Sequence, residues 1–279
     1  QPGTVLVGLN ARNPQLSDVH AIDLASCERT LVYQNDEGFL YFEFDDDFNL
    51  KLATQPQPDG SLVVKQRTKD GWADWSTVPG DDVMPTRILG LDKKGTAAYV
   101  LDSRDRDTAA LTRVDLQTKK AKVRHSDKRA DVGGVMLHPT ERTVLAVSSE
   151  WQRETWTVLD KQVRGDFAAL DKLAEGDFAV VSSTLDNKTW IVGVFGDTKS
   201  AQYYRWDRAK KKATLLFGAQ PALDDQPLAK MHPVVVKSRD GLDLVSYLTL
   251  PKASDEDGDG KPAAPGPLVL GVHGGPWAR

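Results

Sequence analysis

The chain has 279 residues, 40% of them apolar and 27% charged, a globular composition rather than a disordered one. Its 36 Lys and Arg against 40 Asp and Glu leave a net charge of −4, which argues against a dedicated nucleic-acid or anionic-membrane surface. The single cysteine, Cys27, excludes an intramolecular disulfide and any multi-cysteine zinc site, and the longest apolar runs, Phe39 to Phe42 and Leu268 to Val272, are far too short to span a bilayer.

In chain order, four segments share one pattern of apolar strand, polar turn and second strand: FLYFEFDDDFNLKLAT from Phe39, TRILGLDKKGTAAYVLD from Thr86, GGVMLHPTERTVLAVSS from Gly133 and AVVSSTLDNKTWIVGVF from Ala179. Their turns open at Asp45, Asp92, His138 and Asp186, at spacings of 47, 46 and 48 residues. A second pattern runs in step, with a strand ending on Asp23, Asp115 or Asp207, then a short polar turn and another strand. TWTVLD, ending at Asp160, and SLVVKQRTKDGWADW stand at the midpoints. Each period therefore holds about four short strands. Connections this short cannot make parallel crossovers, so the sheets are expected to be antiparallel meanders. A four-stranded meander repeating every 40–50 residues is the signature of a β-propeller blade. The competing fold is an irregular β-sandwich, which rarely keeps so even a register.

One blade departs from the pattern. RGDFAALDKLAEG, after Asp160, spaces Phe167, Leu170 and Leu173 three apart among good helix formers, and predicts a short helix in place of a fourth strand. It is either a decorated loop or an element that shapes a substrate entrance.

After Phe217 the repeat gives way to a turn-rich linker. VVVKSRDGLDLVSYLTLP then predicts a hairpin with a type I′-like turn at Arg239-Asp240-Gly241. Beyond a charged, Pro-rich loop, Pro267 to Val272 reads as a buried strand, apolar on both faces, that discharges into His273-Gly274-Gly275-Pro276. A glycine-rich turn after a central strand can aim backbone N–H groups at an oxyanion, as in HGGG-type motifs. The alternative is a helix-entry turn with no chemistry.

The propeller repeats, the hairpin RDGLDLVSYLTLP, the segment PLVLGVHGGPWAR, and the stretches Asp102 to Leu111 and Arg129 to Pro139 together resemble the prolyl oligopeptidase family of serine peptidases. The likeness is greatest to its acylaminoacyl- and dipeptidyl-peptidase-like bacterial branch. The resemblance implies a propeller over an α/β-hydrolase domain that hydrolyses short peptides with a Ser, Asp and His, without a cofactor or metal. It implies that Gly275 donates an oxyanion-hole N–H, with His273 and Gly274 shaping the loop. No G-x-S-x-G occurs in the chain, so the expectation is a fragment, inactive by itself, that works with the remainder of the hydrolase. Residues 1–222 would be about four and a half propeller blades and 223–279 the first strands of the catalytic domain. Compartment, whether bacterial cytoplasm or periplasm, stays open, as does a homo-oligomer. The competing class is a non-enzymatic propeller that binds protein or ligand.

Meander topology puts the loops between second and third strands on the face from which the last blade leads into the hydrolase segment. Those loops are residues 55–60, 102–108, 148–153 and 196–200. Arg104, Arg106, Glu150 and Arg153 are therefore candidates for gripping peptide termini, since a carboxylate pairs with an α-amine and a guanidinium binds a carboxylate in two-point fashion. The ordinary alternative is that alternating Arg and Asp tie each loop together.

Three further signals carry less. Asp255 to Gly260 matches half of a calcium loop, but Gly266 stands where the bidentate Glu belongs, so a solvated acidic loop is expected and no metal. Lys119-Lys120 and Lys210 to Lys212 should sit at hairpin turns, and Trp72, Trp75, Trp156, Trp190 and Trp206 should pack between blades. Asn187-Lys188-Thr189 matches a glycosylation acceptor.

Overall fold

The computed structural model describes residues 3–174 and 176–274. It is a β-propeller built of small antiparallel sheets. The chain divides into two compact units, residues 1–132 and 133–279.

The first unit opens with a three-stranded meander, β1 (Thr4–Asn13), β2 (Leu16–Asp23) and β3 (Arg29–Tyr33). Two complete blades follow. One is β4 (Tyr41–Phe44), β5 (Leu50–Pro56), β6 (Leu62–Thr68) and β7 (Gly71–Val78); the next is β8 (Arg87–Leu91), β9 (Ala97–Asp102), β10 (Ala110–Asp115) and β11 (Ala121–His125). Each has its strands in sequence order. Leu52, Val64 and Trp75 of one blade pack with Leu91, Ala98, Val100 and Val114 of the other, and Trp75 Nε1 donates to the Leu116 carbonyl at 3.2 Å. Trp72 packs on Tyr33 and Phe39 between the first two sheets.

The second unit holds the sheet β12 (Val132–Leu137), β13 (Val144–Glu150) and β14 (Glu154–Val158), then the helix α1 (Arg164–Leu173) where a fourth strand would be. A full blade follows, β15 (Asp177–Ser183), β16 (Thr189–Phe195), β17 (Gln202–Asp207) and β18 (Lys212–Gly218). Phe167 and Leu170 of the helix are buried against Leu145, Phe178, Trp190 and Trp206, and Trp156 Nε1 donates to the Phe178 carbonyl at 3.0 Å. The helix closes a core that a sheet edge would have left open.

The repeating turn residues have one local job. Asp45, Asp92 and Asp186 each offer Oδ1 to backbone N–H groups of their own turn, at 2.8–3.2 Å. At the equivalent place His138 does this with Nδ1, which accepts from the N–H of Thr140 and Glu141. The second series behaves alike: Asp23 and Asp115 each accept two backbone N–H groups and a hydroxyl, which hold them below the usual carboxylate range. Such side chains stand in for a backbone turn partner, which is why they mark the repeat. Cys27, Lys119 and Lys211 take positive φ four residues after Asp23, Asp115 and Asp207, so Lys119-Lys120 and Lys210-Lys211 lie in hairpin turns, while Lys212 opens β18.

The last sheet is the hairpin β19 (Met231–Lys237) and β20 (Asp243–Thr249). Its turn differs from expectation. A type I′ turn needs positive φ at both central residues, whereas here only Gly241 is positive, at 90°. Arg239-Asp240 instead make an ordinary turn and Gly241 supplies the left-handed residue that re-enters the strand.

The expected buried strand at Pro267 to Val272 is not formed. The segment is assigned to no strand, and Leu268, Val269, Leu270 and Val272 are 79–93% exposed. A strand apolar on both faces is stable only between neighbouring strands and beneath covering helices, and the described residues supply neither. The expected boundary at 222/223 falls inside the second unit, where Asp197 of the blades bonds to Met231 of the hairpin.

Candidate functional site

The four loops named from sequence connect the second and third strands of their sheets, β5–β6, β9–β10, β13–β14 and β16–β17. Within the first unit, Arg104 is held locally. Its guanidinium donates to both carboxylate oxygens of Asp102 at 2.8 and 2.7 Å, to Ser76 Oγ at 2.6 Å and to the Thr77 carbonyl at 2.9 Å. Burial works against the Asp102 charge, yet these Arg104 hydrogen bonds hold its pKa low. Arg106 is exposed, and its backbone N–H bonds to the Ser103 carbonyl.

Within the second unit, Glu150 and Arg153 flank the β13–β14 turn. Glu150 is exposed and stands directly opposite Glu154 in the antiparallel register. Like charges in this position repel. Burial pushes the Glu154 carboxyl up, and the Asp177 and Glu150 charges push it further. Asp177 is raised in the same way, first by burial and then by Glu150, while Arg153 opposes the shift. Glu150, Glu154 and Asp177 thus share an acidic patch in which burial raises the Glu154 and Asp177 carboxyls.

Arg153 also reaches the hairpin. It donates to Asp197 at 3.1 Å and to the Met231 carbonyl at 2.5 Å, and Asp197 also accepts the Met231 N–H at 2.6 Å. Burial penalises the Asp197 charge, but these donors keep its pKa low. Tyr247 Oη donates to the Gln152 carbonyl at 2.9 Å. Arg153 therefore ties two blade loops to the hairpin, and Glu150 is exposed at the end of β13. Glu154 and Asp177 were not visible as site residues in the sequence. The one signal was the symmetry of Glu150 and Glu154 about a three-residue turn.

His273 Nδ1 lies 2.6 Å from the Gly274 carbonyl, and both residues are exposed. Gly275 lies outside the described residues. Asp255, Asp257 and Asp259 bring carboxylate oxygens within 4.8 Å of one another, but Asp255 is already engaged by His232 Nε2 at 2.8 Å and the Gly260 N–H at 3.0 Å. Asn187 is buried, with Oδ1 accepting from Trp190 Nε1, so the glycosylation sequence is inaccessible in the folded chain.

Comparison with known proteins places these features. The chain is 44% identical, over all 279 residues, to dipeptidyl aminopeptidase BIII of Pseudoxanthomonas mexicana. The match is to a segment of that peptidase's chain. The chain is also 29% identical to dipeptidyl peptidase family member 6 of Caenorhabditis elegans over 99% of its length. It spans 40% of the length of each of these relatives. Among solved structures, prolyl oligopeptidase B of Galerina marginata aligns with a TM-score of 0.55 at 13% identity, over 90% of this chain and 37% of that one. A puromycin-hydrolyzing peptidase of Mycobacterium tuberculosis aligns at 0.53 and 12%, over 89% and 41%. These two likenesses are of fold. No family model matches the chain.

Proposed function

We propose that this chain is the propeller portion, with the first catalytic-domain strands, of a serine peptidase that removes short units from peptides with a free N-terminus. The observation that carries the reading is the 44% identity to a dipeptidyl aminopeptidase along the whole chain. In this reading residues 1–222 belong to the propeller and gate access to the active site, and 223–279 begin the hydrolase domain. Gly275 offers an N–H to the tetrahedral oxyanion, a contact of a kind typically worth roughly 3–4 kcal/mol of barrier, and His273 and Gly274 shape its loop. The nucleophile, base and orienting acid come from residues beyond Arg279.

Glu150 is the residue we assign to the substrate's α-ammonium. It is exposed on a second-to-third-strand loop, and an ammonium there would offset the repulsion among Glu150, Glu154 and Asp177. Arg106 remains a candidate for a substrate carbonyl or carboxylate. Arg104 and Arg153 act by holding their loops.

The coding sequence after Arg279 gives the first test: a G-x-S-x-G within the next hundred or so residues supports the reading, and a stop codon there ends it. In the full-length protein, Glu150→Gln should raise KM for N-terminally free peptides about tenfold, the loss of one charge-assisted contact of about 1.4 kcal/mol. Cleavage of an N-acylated analogue should not change. An unchanged KM for the free peptide removes Glu150 from this role.

A further inference from the structure

The first unit contains a cavity of about 420 Å³, within the size range of small-molecule sites. It lies where β4 faces the next blade. Strand periodicity puts Tyr41 and Glu43 on the same side of β4. The remaining walls are chiefly apolar: Leu62 and Val64 of β6, Trp75 of β7, and Ile88 and Val100 from β8 and β9.

Glu43 is the anomaly in this cavity. It is partly buried, and among the described residues its carboxyl has neither a hydrogen-bond nor an ion-pair partner. The cationic groups of the lining are committed: Arg104 is neutralised by Asp102 at 2.7 Å, and Arg87, exposed at the rim, has its own interactions. A carboxylate in apolar surroundings with no partner is costly, and burial raises the Glu43 pKa to about 7. A ligand that brought a positive charge would recover that cost, and its apolar body would fill the space beside Trp75 and Tyr41. Aromatic faces attract cations as well.

We infer that this inter-blade cavity is a binding site for a primary ammonium carried on a compact apolar or aromatic body, with Glu43 as its counter-ion. Nothing in the proposed peptidase chemistry requires this site; Glu43 and Glu150 lie in different compact units.

The test is calorimetric titration of the full-length protein at pH 8 with 2-phenylethylammonium and with its neutral analogue 2-phenylethanol. The expected result is that the ammonium binds at least tenfold more tightly than the alcohol. Glu43→Gln, which keeps the shape and removes the charge, should erase that preference and leave the affinity for the alcohol within twofold. Ile88→Trp, which fills the cavity, should weaken both ligands at least tenfold. Equal affinities in the unaltered protein, no binding of either ligand at 10 mM, or a preference that survives Glu43→Gln would each overturn the proposal. Should Glu43→Gln fail to fold, ligand binding undiminished in Ile88→Trp overturns it too.

Discussion

The indole Nε1 of Trp206 donates to a carboxylate oxygen of Asp166 at 2.9 Å, joining β17 to helix α1 across 40 positions of sequence. Asp166 is fully buried, and its other oxygen accepts two bonds from Arg208, at 3.0 and 3.2 Å. The Arg208 guanidinium stacks 4.6 Å above the Trp190 ring, and Lys211 completes the cluster from the following turn. The helix that replaces a blade strand is thus fixed by one buried charge as well as by its apolar face.

Asp166→Ala should cost about 3–5 kcal/mol of unfolding free energy, because it strands the partly buried Arg208 charge and the buried Trp206 N–H. Lys211→Ala, at a side chain that is 42% exposed, should cost less than about 1 kcal/mol. Urea unfolding followed by tryptophan fluorescence measures both, and equal effects would show that Asp166 is not the hub.

The turn at His138 supports a prediction from the repeat itself. His138→Asp places the side chain used at Asp45, Asp92 and Asp186 and should leave the melting temperature unchanged or higher. His138→Ala removes both acceptor contacts and should cost about 1 kcal/mol. A thermal shift series on the two variants decides the point. If alanine is as stable as the parent, the ring nitrogen contributes nothing.

Acid should weaken the first sheet through Asp18. This buried carboxylate takes two bonds from Arg12, both at 2.8 Å, and the Asn35 N–H at 2.8 Å. The Arg12 hydrogen bonds, then Asn35, hold its pKa at about 2, below the ordinary 3.8. Because the folded value lies below the unfolded one, the stabilisation is complete above about pH 4 and is lost as pH falls toward about 2. Asp18→Asn should therefore flatten the stability profile between pH 4 and 2 and lower stability at pH 7. A profile parallel to that of the parent protein would rule out Asp18 as a source of the acid sensitivity.

Sequence by itself determined the blade repeat, because each turn is made by local chemistry. An Asp or His accepting N–H groups within five residues leaves its mark at a fixed interval whatever surrounds it, and the strands alternate on either side. The helix at Arg164–Leu173 was legible for the same reason, in the spacing of Phe167, Leu170 and Leu173. What depends on partners distant in sequence was not legible. Pro267 to Val272 has the composition of a central strand, but a strand exists only with neighbours to pair with, and the segment lies exposed. Arg104 and Arg153 looked like free gripping groups until the tertiary structure gave them Asp102 and Asp197 as close partners. Glu154 and Asp177 entered the site because β13, β14 and β15 bring their carboxyl groups near Glu150. Glu43 looked like an ordinary acid in an alternating strand; only the packing of the next blade left it in an apolar cavity with no partner among the described residues. Burial and charge pairing are sums over neighbours, and the chain's order does not list them.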